Sequence, residues 1–223
     1  MIRLVISFTM LLCSAANAEP SPCDAPNIFV KTEDHGLRDR VCSVVAEALP
    51  SLRNCHLESN QPVFFSFSDS LLSSNDVCLG LYHHGSNQID LLTPESFSTT
   101  HEQSDFCDTL PETAHFDSVV VHELTHALLD QARREKTILR VDQEYIAYAM
   151  QLQFVGASVR DKFLSNFDRS SPIEDGRINE FILEFSPSVF AAASWLHFSH
   201  PEHGCGLVDR ILRGEHTFWQ EPF

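Results

Sequence analysis

After its first eighteen residues the chain has no apolar run long enough to cross a bilayer, no internal repeat, no low-complexity linker and no C-x-x-C pair. The first absence excludes a later membrane anchor, which needs about 20 apolar residues. The lack of repeats excludes a solenoid. Without closely spaced cysteines there is no zinc knuckle. Basic residues are also scarce, with 15 Lys and Arg against 31 Asp and Glu and a formal net charge of −16. Such a chain repels phosphate backbones and anionic headgroups, so nucleic acid is excluded as a partner.

The start of the chain reads as a secretory signal peptide. Arg3 supplies the positive charge, Leu4 to Leu12 the short apolar run, and Ala16-Asn17-Ala18 the small residues before a cleavage point after Ala18. Lipid modification at Cys13 is disfavoured because Leu12, a bulky residue, precedes it. Residues 19–223 are then expected to form one domain, secreted or periplasmic and without a stable membrane anchor. They hold Cys23, Cys42, Cys55, Cys78, Cys107 and Cys205, an even set that suits disulfides in an oxidising compartment and leaves the pairing open.

Hydrophobic periodicity predicts an α+β fold. Glu19 to Asn27, with Pro20, Pro22 and Pro26, reads as an extended lead-in. A helix is expected over Gly36 to Leu49, stopped by Pro50. Strands are expected at Pro62 to Phe67, Val77 to Tyr82 and Gln88 to Leu92. The last two flank His83-His84-Gly85-Ser86-Asn87, which suits a hairpin tip. Neighbouring strand residues face opposite ways, so His83 and His84 cannot both reach one ion. Pro94 to Thr113 is polar and reads as loop. The strongest helix runs from Asp117, with Asp117 or Ser118 as its N-cap, to about Arg133. A second follows from Ile138 or Asp142 to Phe154. Shorter helical pieces are expected at Val159 to Phe167, Asn179 to Phe185, Pro187 to Phe198 and Glu202 to Leu212. A few strands followed by helices indicate α+β rather than alternating α/β.

The strongest helix carries His122-Glu123-Leu124-Thr125-His126. Residues four apart share a helix face, so both imidazoles can reach one ion while Glu123, on a neighbouring strip, can reach a water beside it. A zinc site of this kind wants a third protein ligand and an open position. From His126 the helix advances roughly 12 Å to Arg134 at ~1.5 Å per residue, Glu135 to Thr137 turn the chain, and Ile138 to Glu144 return roughly 10 Å. Glu144 is thereby brought nearly level with His126, with Asp142 as its nearest rival. Asp130, one turn beyond His126, is a candidate to orient that imidazole. His197, His200 and His203 read as helix-end histidines.

H-E-x-x-H followed after 17 residues by Glu144, in Glu144-Tyr145-Ile146-Ala147-Tyr148, resembles the gluzincin class of zinc metallopeptidases across residues 117–152. The strand-rich segment before the zinc helix is similar to the zincin plan, in which an edge strand aligns the substrate. One departure is that Tyr148 stands one turn after Glu144, where gluzincins often carry an acid. The resemblance implies Zn²⁺ on His122, His126 and Glu144, with Glu123 as general base for a metal-activated water that hydrolyses a peptide bond. The substrate would be a peptide or protein. It also implies a donor to the carbonyl oxygen, for which Tyr148, His197 and His200 are candidates. The alternative is a catalytically inactive exported zinc-binding domain that binds another protein.

Overall fold

The computed structural model describes residues 18–73, 76–77, 79–102, 106, 109–132, 138–169 and 171–218. The signal-peptide reading therefore falls almost wholly outside the described residues. So do Cys78, Cys107 and the turn at Glu135 to Thr137.

Two short strands, β1 (Ser21–Pro22) and β2 (Ile28–Val30), open the described chain. Helix α1 (His35–Asn54) follows, its N-terminus capped by Asp34, which accepts from the Leu37 N–H at 3.0 Å. Strands β3 (Val63–Ser68), β4 (Leu72–Ser73), β5 (Asp76–Val77), β6 (Gly80–His83) and β7 (Gln88–Leu92) complete the β part. The remainder is helical: α2 (Pro94–His101), α3 (Glu112–Ala132), α4 (Arg140–Phe154), α5 (Gly156–Leu164), α6 (Glu180–Phe185), α7 (Pro187–Phe198) and α8 (Gly204–Leu212). A single 3₁₀ turn spans Asp175–Arg177.

The five-stranded sheet has the order β1-β2-β3-β7-β6. Its centre is parallel (β2 with β3, β3 with β7) and both margins are antiparallel. The fold is thus α+β, with a small mixed sheet and a mostly helical remainder. Val30, Val63, Phe65 and Ile89 on one sheet face are buried together with Val41 and Val45 of α1 and Leu124 and Leu128 of α3. This layer fixes α3 against the sheet. On its other flank α3 packs against α4, which in turn packs against α7.

Four local expectations are corrected. Pro50 lies inside α1 rather than ending it. The missing N–H costs about 3 kcal/mol in a helix interior, but Leu49 and Leu52 around it are buried in the core and Cys55 at the helix end is tied to Cys205. The first residue of the expected Val77 to Tyr82 strand, Val77, belongs instead to the separate β4–β5 pair. The polar stretch after Pro94 forms α2, because Thr93 caps it and buried Phe97 anchors it. Finally, α3 starts five residues before Asp117. Asp117 is an interior residue that accepts from Arg40 Nε at 2.6 Å, and Ser118 is fully buried.

Two disulfides, Cys23–Cys42 and Cys55–Cys205, are formed. The second closes a separation of 150 residues and ties the end of α1 to α8. A loop of that length restricts the unfolded chain by about 5 kcal/mol. Such bonds belong to an oxidising, non-cytoplasmic compartment. Among the described residues no helix is long and apolar enough to cross a membrane.

Candidate metal centre

His122 and His126 are one turn apart on α3 and both are buried. Their Nε2 atoms lie 3.2 Å apart. Glu144 enters from the second turn of α4 and places Oε2 3.3 Å from His122 Nε2 and Oε1 3.6 Å from His126 Nε2. With metal–ligand bonds of about 2.0–2.1 Å, the edge of a zinc tetrahedron is about 3.3 Å. The separations, one between the imidazoles and one from each imidazole to a different oxygen of the same carboxylate, lie near that edge. Among the described residues no other set of three His, Cys, Asp or Glu side chains brings ligand atoms together in this way.

A hydrogen-bond chain sets the tautomer of His122. The Ser118 hydroxyl donates to the His115 carbonyl at 2.8 Å and accepts from Gln151 Nε2 at 3.0 Å. Gln151 Oε1 therefore faces His122, and His122 Nδ1–H donates to it at 2.9 Å. The lone pair of His122 is left on Nε2, pointing into the cluster, which is how ligand imidazoles are oriented in metal sites. His126 Nδ1 is buried without a hydrogen-bond partner. Its other nitrogen meets only the His122 ring and the Glu144 carboxylate. A cation among the three groups would engage this imidazole through Nε2 and would leave Nδ1, on the other side of the ring, as it is.

Charge and burial compete here. Burial pushes the Glu144 carboxyl up, but the His126 and His122 imidazoles outweigh it and hold Glu144 well below the usual carboxylate range. Burial pushes His126 down, and the Glu144 and Glu123 carboxylates reverse this, leaving it raised. Burial, helped by Glu144, keeps Glu123 above an ordinary glutamate despite the two imidazoles and a hydrogen bond from the Tyr82 backbone N–H.

Asp142 is not part of the cluster. It accepts from the Thr217 hydroxyl and the Phe218 N–H, both at 2.8 Å, and so fastens the C-terminal segment. Two residues on a helix are about 200° apart, so Asp142 and Glu144 face nearly opposite sides of α4. Asp130 does not orient His126 either: its Oδ2 accepts from the Tyr82 hydroxyl at 2.8 Å and the Gly85 N–H at 2.7 Å.

A cavity of about 380 Å³ opens beside the cluster, walled by β6 on one side and the first turns of α4 on the other. The expected carbonyl-oxygen donors do not line it. Tyr148 lays its ring 4.6 Å from that of His122. His197 is buried on α7, accepting from the Tyr145 hydroxyl at 3.0 Å and donating to Asp175 at 3.0 Å. His200 lies just past α7, its ring 5.3 Å from that of His203.

Two contributors were not singled out in the sequence, and a third was read there as part of a hairpin tip. Gln151 is one. Gly80 is another: a Cβ there would lie 2.7 Å from Glu123 Cγ, so β6 can pass this close to α3 only without a side chain. A lone glycine inside a strand-like run is the signal for such an approach. The third is His84, which lines the cavity while His83 turns away to donate to Asp90 at 2.7 Å.

No curated protein matches this chain, and no solved structure does. A family model matches residues 28–221. The chain belongs to the family of unknown function that this model describes, DUF6639.

Proposed function

We propose that this protein is a zinc-dependent hydrolase of peptide bonds, built on a zincin-like plan of the gluzincin type. His122, His126 and Glu144 hold the ion. The observation that carries the reading is the convergence of two imidazole Nε2 atoms and the two oxygens of one carboxylate beside an open cavity. A zinc ion bound there acts as a Lewis acid, polarising a carbonyl and lowering the pKa of water.

The chain's own residues supply the rest. Glu123 sits beside the ligands, and its raised proton affinity lets it take a proton from water and return it to the leaving amine. β6 is an edge strand. Leu92 N–H donates to the Leu79 carbonyl at 3.1 Å, so the paired positions of this ladder are the odd-numbered ones of β6. The backbone groups of Gly80 and Tyr82 thus face the free edge, the side on which an extended peptide can add as a strand. Glu123, receiving the Tyr82 N–H, stands at that edge.

The test is a fluorogenic peptide library assayed with zinc-loaded protein and with Glu123→Gln. The expected result is cleavage by the wild type and a loss of about 10²–10⁴-fold in rate for the variant, with one equivalent of zinc retained by both. Zinc retention without cleavage of any peptide would reject hydrolysis and leave a silent zinc-binding domain.

A further inference from the structure

The proposed hydrolysis needs a hydrogen-bond donor for the peptide carbonyl oxygen as it gains negative charge. Two other side-chain donors at the cavity are drawn elsewhere. Gln143 Nε2 donates to the Ile138 carbonyl at 2.8 Å, and Arg140 is drawn towards α6, its Nη1 lying 3.0 Å from Glu184 and 3.4 Å from Glu180. His84 is different. It is exposed at the β6–β7 turn, lines the cavity, and among the described residues its ring nitrogens take part in no hydrogen bond.

The turn that carries His84 is held in place over the end of α3. Asp130 and Gln131, the residues four and five after His126, grip it from below. Asp130 takes the Tyr82 hydroxyl and the Gly85 N–H, on either side of His84, and Gln131 Nε2 donates to Asn87 Oδ1 at 3.1 Å. Gly85 at φ 77° and Asn87 at φ 55° supply the left-handed backbone of a tight reversal. The edge of the Tyr82 ring, 5.2 Å away, supports the imidazole.

An internal ruler separates two possible roles. The rings of His122 and His126, whose Nε2 atoms converge on one point, have centroids 4.9 Å apart. The His84 ring is 6.5 Å from that of His126. It stands too far out to share that point as a ligand, and near enough to reach an atom held on its open side. We propose that His84 is the catalytic residue that hydrogen-bonds the carbonyl oxygen of the bound peptide. This rests on the zinc-hydrolase reading above and replaces Tyr148, His197 and His200 in that role.

Co²⁺ serves as a spectroscopic substitute for zinc in the test, and methylphosphonate as a tetrahedral oxyanion probe. Full-length wild type, His84→Ala and His84→Gln are titrated with Co²⁺ and then with the probe. The expected result is Co²⁺ affinity in His84→Ala within about twofold of wild type, with methylphosphonate affinity down by about 10–100-fold. His84→Gln, which keeps an N–H donor, recovers part of the loss. For any peptide that the wild type cleaves, His84→Ala lowers kcat by about 10²-fold or more with little change in KM. Unchanged probe affinity in His84→Ala overturns the assignment, as does a tenfold or greater loss of Co²⁺ affinity with an altered visible spectrum, which would make His84 a ligand. Wild-type protein that binds Co²⁺ but not methylphosphonate overturns it too. Wild-type protein that binds no Co²⁺ sinks the zinc reading itself.

Discussion

Two clusters of histidine and carboxylate flank α4, one reached by Glu144 and the other by Tyr145, and they differ in where their nitrogens point. Around His197 both ring nitrogens are used: Nδ1 accepts from Tyr145 and Nε2 donates to Asp175, while His203 donates from Nδ1 to the His197 carbonyl at 2.7 Å and the nearby His216 leaves its Nε2 without a hydrogen bond. The His197 and His203 rings are stacked at 3.8 Å. Around His122 and His126 the Nε2 atoms instead face each other and a carboxylate, with no protein donor between them. The first has one buried imidazole, His197, and the second has two. Only the second has ligand atoms converging on one point, so it is convergence, rather than histidine content or an unpartnered nitrogen, that marks the candidate metal site.

The sharpest break between the clusters is metal content after exhaustive dialysis, measured by elemental analysis. His126→Ala is expected to retain no zinc. His197→Ala is expected to retain the single equivalent of the wild type, because none of its nitrogens faces the ion. Zinc loss in His197→Ala would erase the distinction.

A second contrast lies along α3 itself. Burial, with His101 and His122 nearby, pushes His115 down to about 3, whereas the carboxylates hold His126 above an ordinary histidine. The His115 shift is a depression, so the unfolded chain binds the proton first. Stability from this group is therefore lost as pH falls from about 6.5 towards 3, by on the order of 4 kcal/mol. The His126 shift is an elevation, so in metal-free protein its contribution is present below pH 6.5 and lost as pH rises through its folded value. Urea unfolding across pH 4 to 8 should show both arms, with His115→Gln flattening the acid one and bound zinc abolishing the alkaline one. An acid arm unaffected by His115→Gln would assign it elsewhere.

The smallest effect tests the tautomer chain. Gln151→Leu removes the acceptor for His122 Nδ1–H, and zinc affinity should fall by about 10–100-fold. Competition with a chelator measures it. Affinity within twofold of wild type would mean that His122 is oriented by packing alone.

The helix pair was legible because its signals are local and periodic. His122, Glu123 and His126 are neighbours along one helix, and Glu144 could be placed by counting rise per residue out along α3 and back along α4. The face of α4 then separates Glu144 from Asp142. What stayed hidden depends on contacts between distant elements. Gln151 reads as one more polar residue until α4 is laid against α3 and its amide meets Ser118 and His122. Thr93 and Phe97 make a helix of a polar stretch that periodicity passes over. Tyr148, His197 and His200 were plausible by residue type, yet the cavity opens towards β6 and leaves them behind or beside the cluster.

The order of residues by itself determined that two imidazoles and a carboxylate would come to one level on adjacent helices, because helical rise and periodicity are properties of the local chain. Which groups border the open side was decided by tertiary structure: the edge strand passing over Glu123 at Gly80, and the turn clamped by Asp130 that carries His84. These approaches join segments some forty residues apart, and their geometry follows from packing the sheet against α3, which no local pattern encodes.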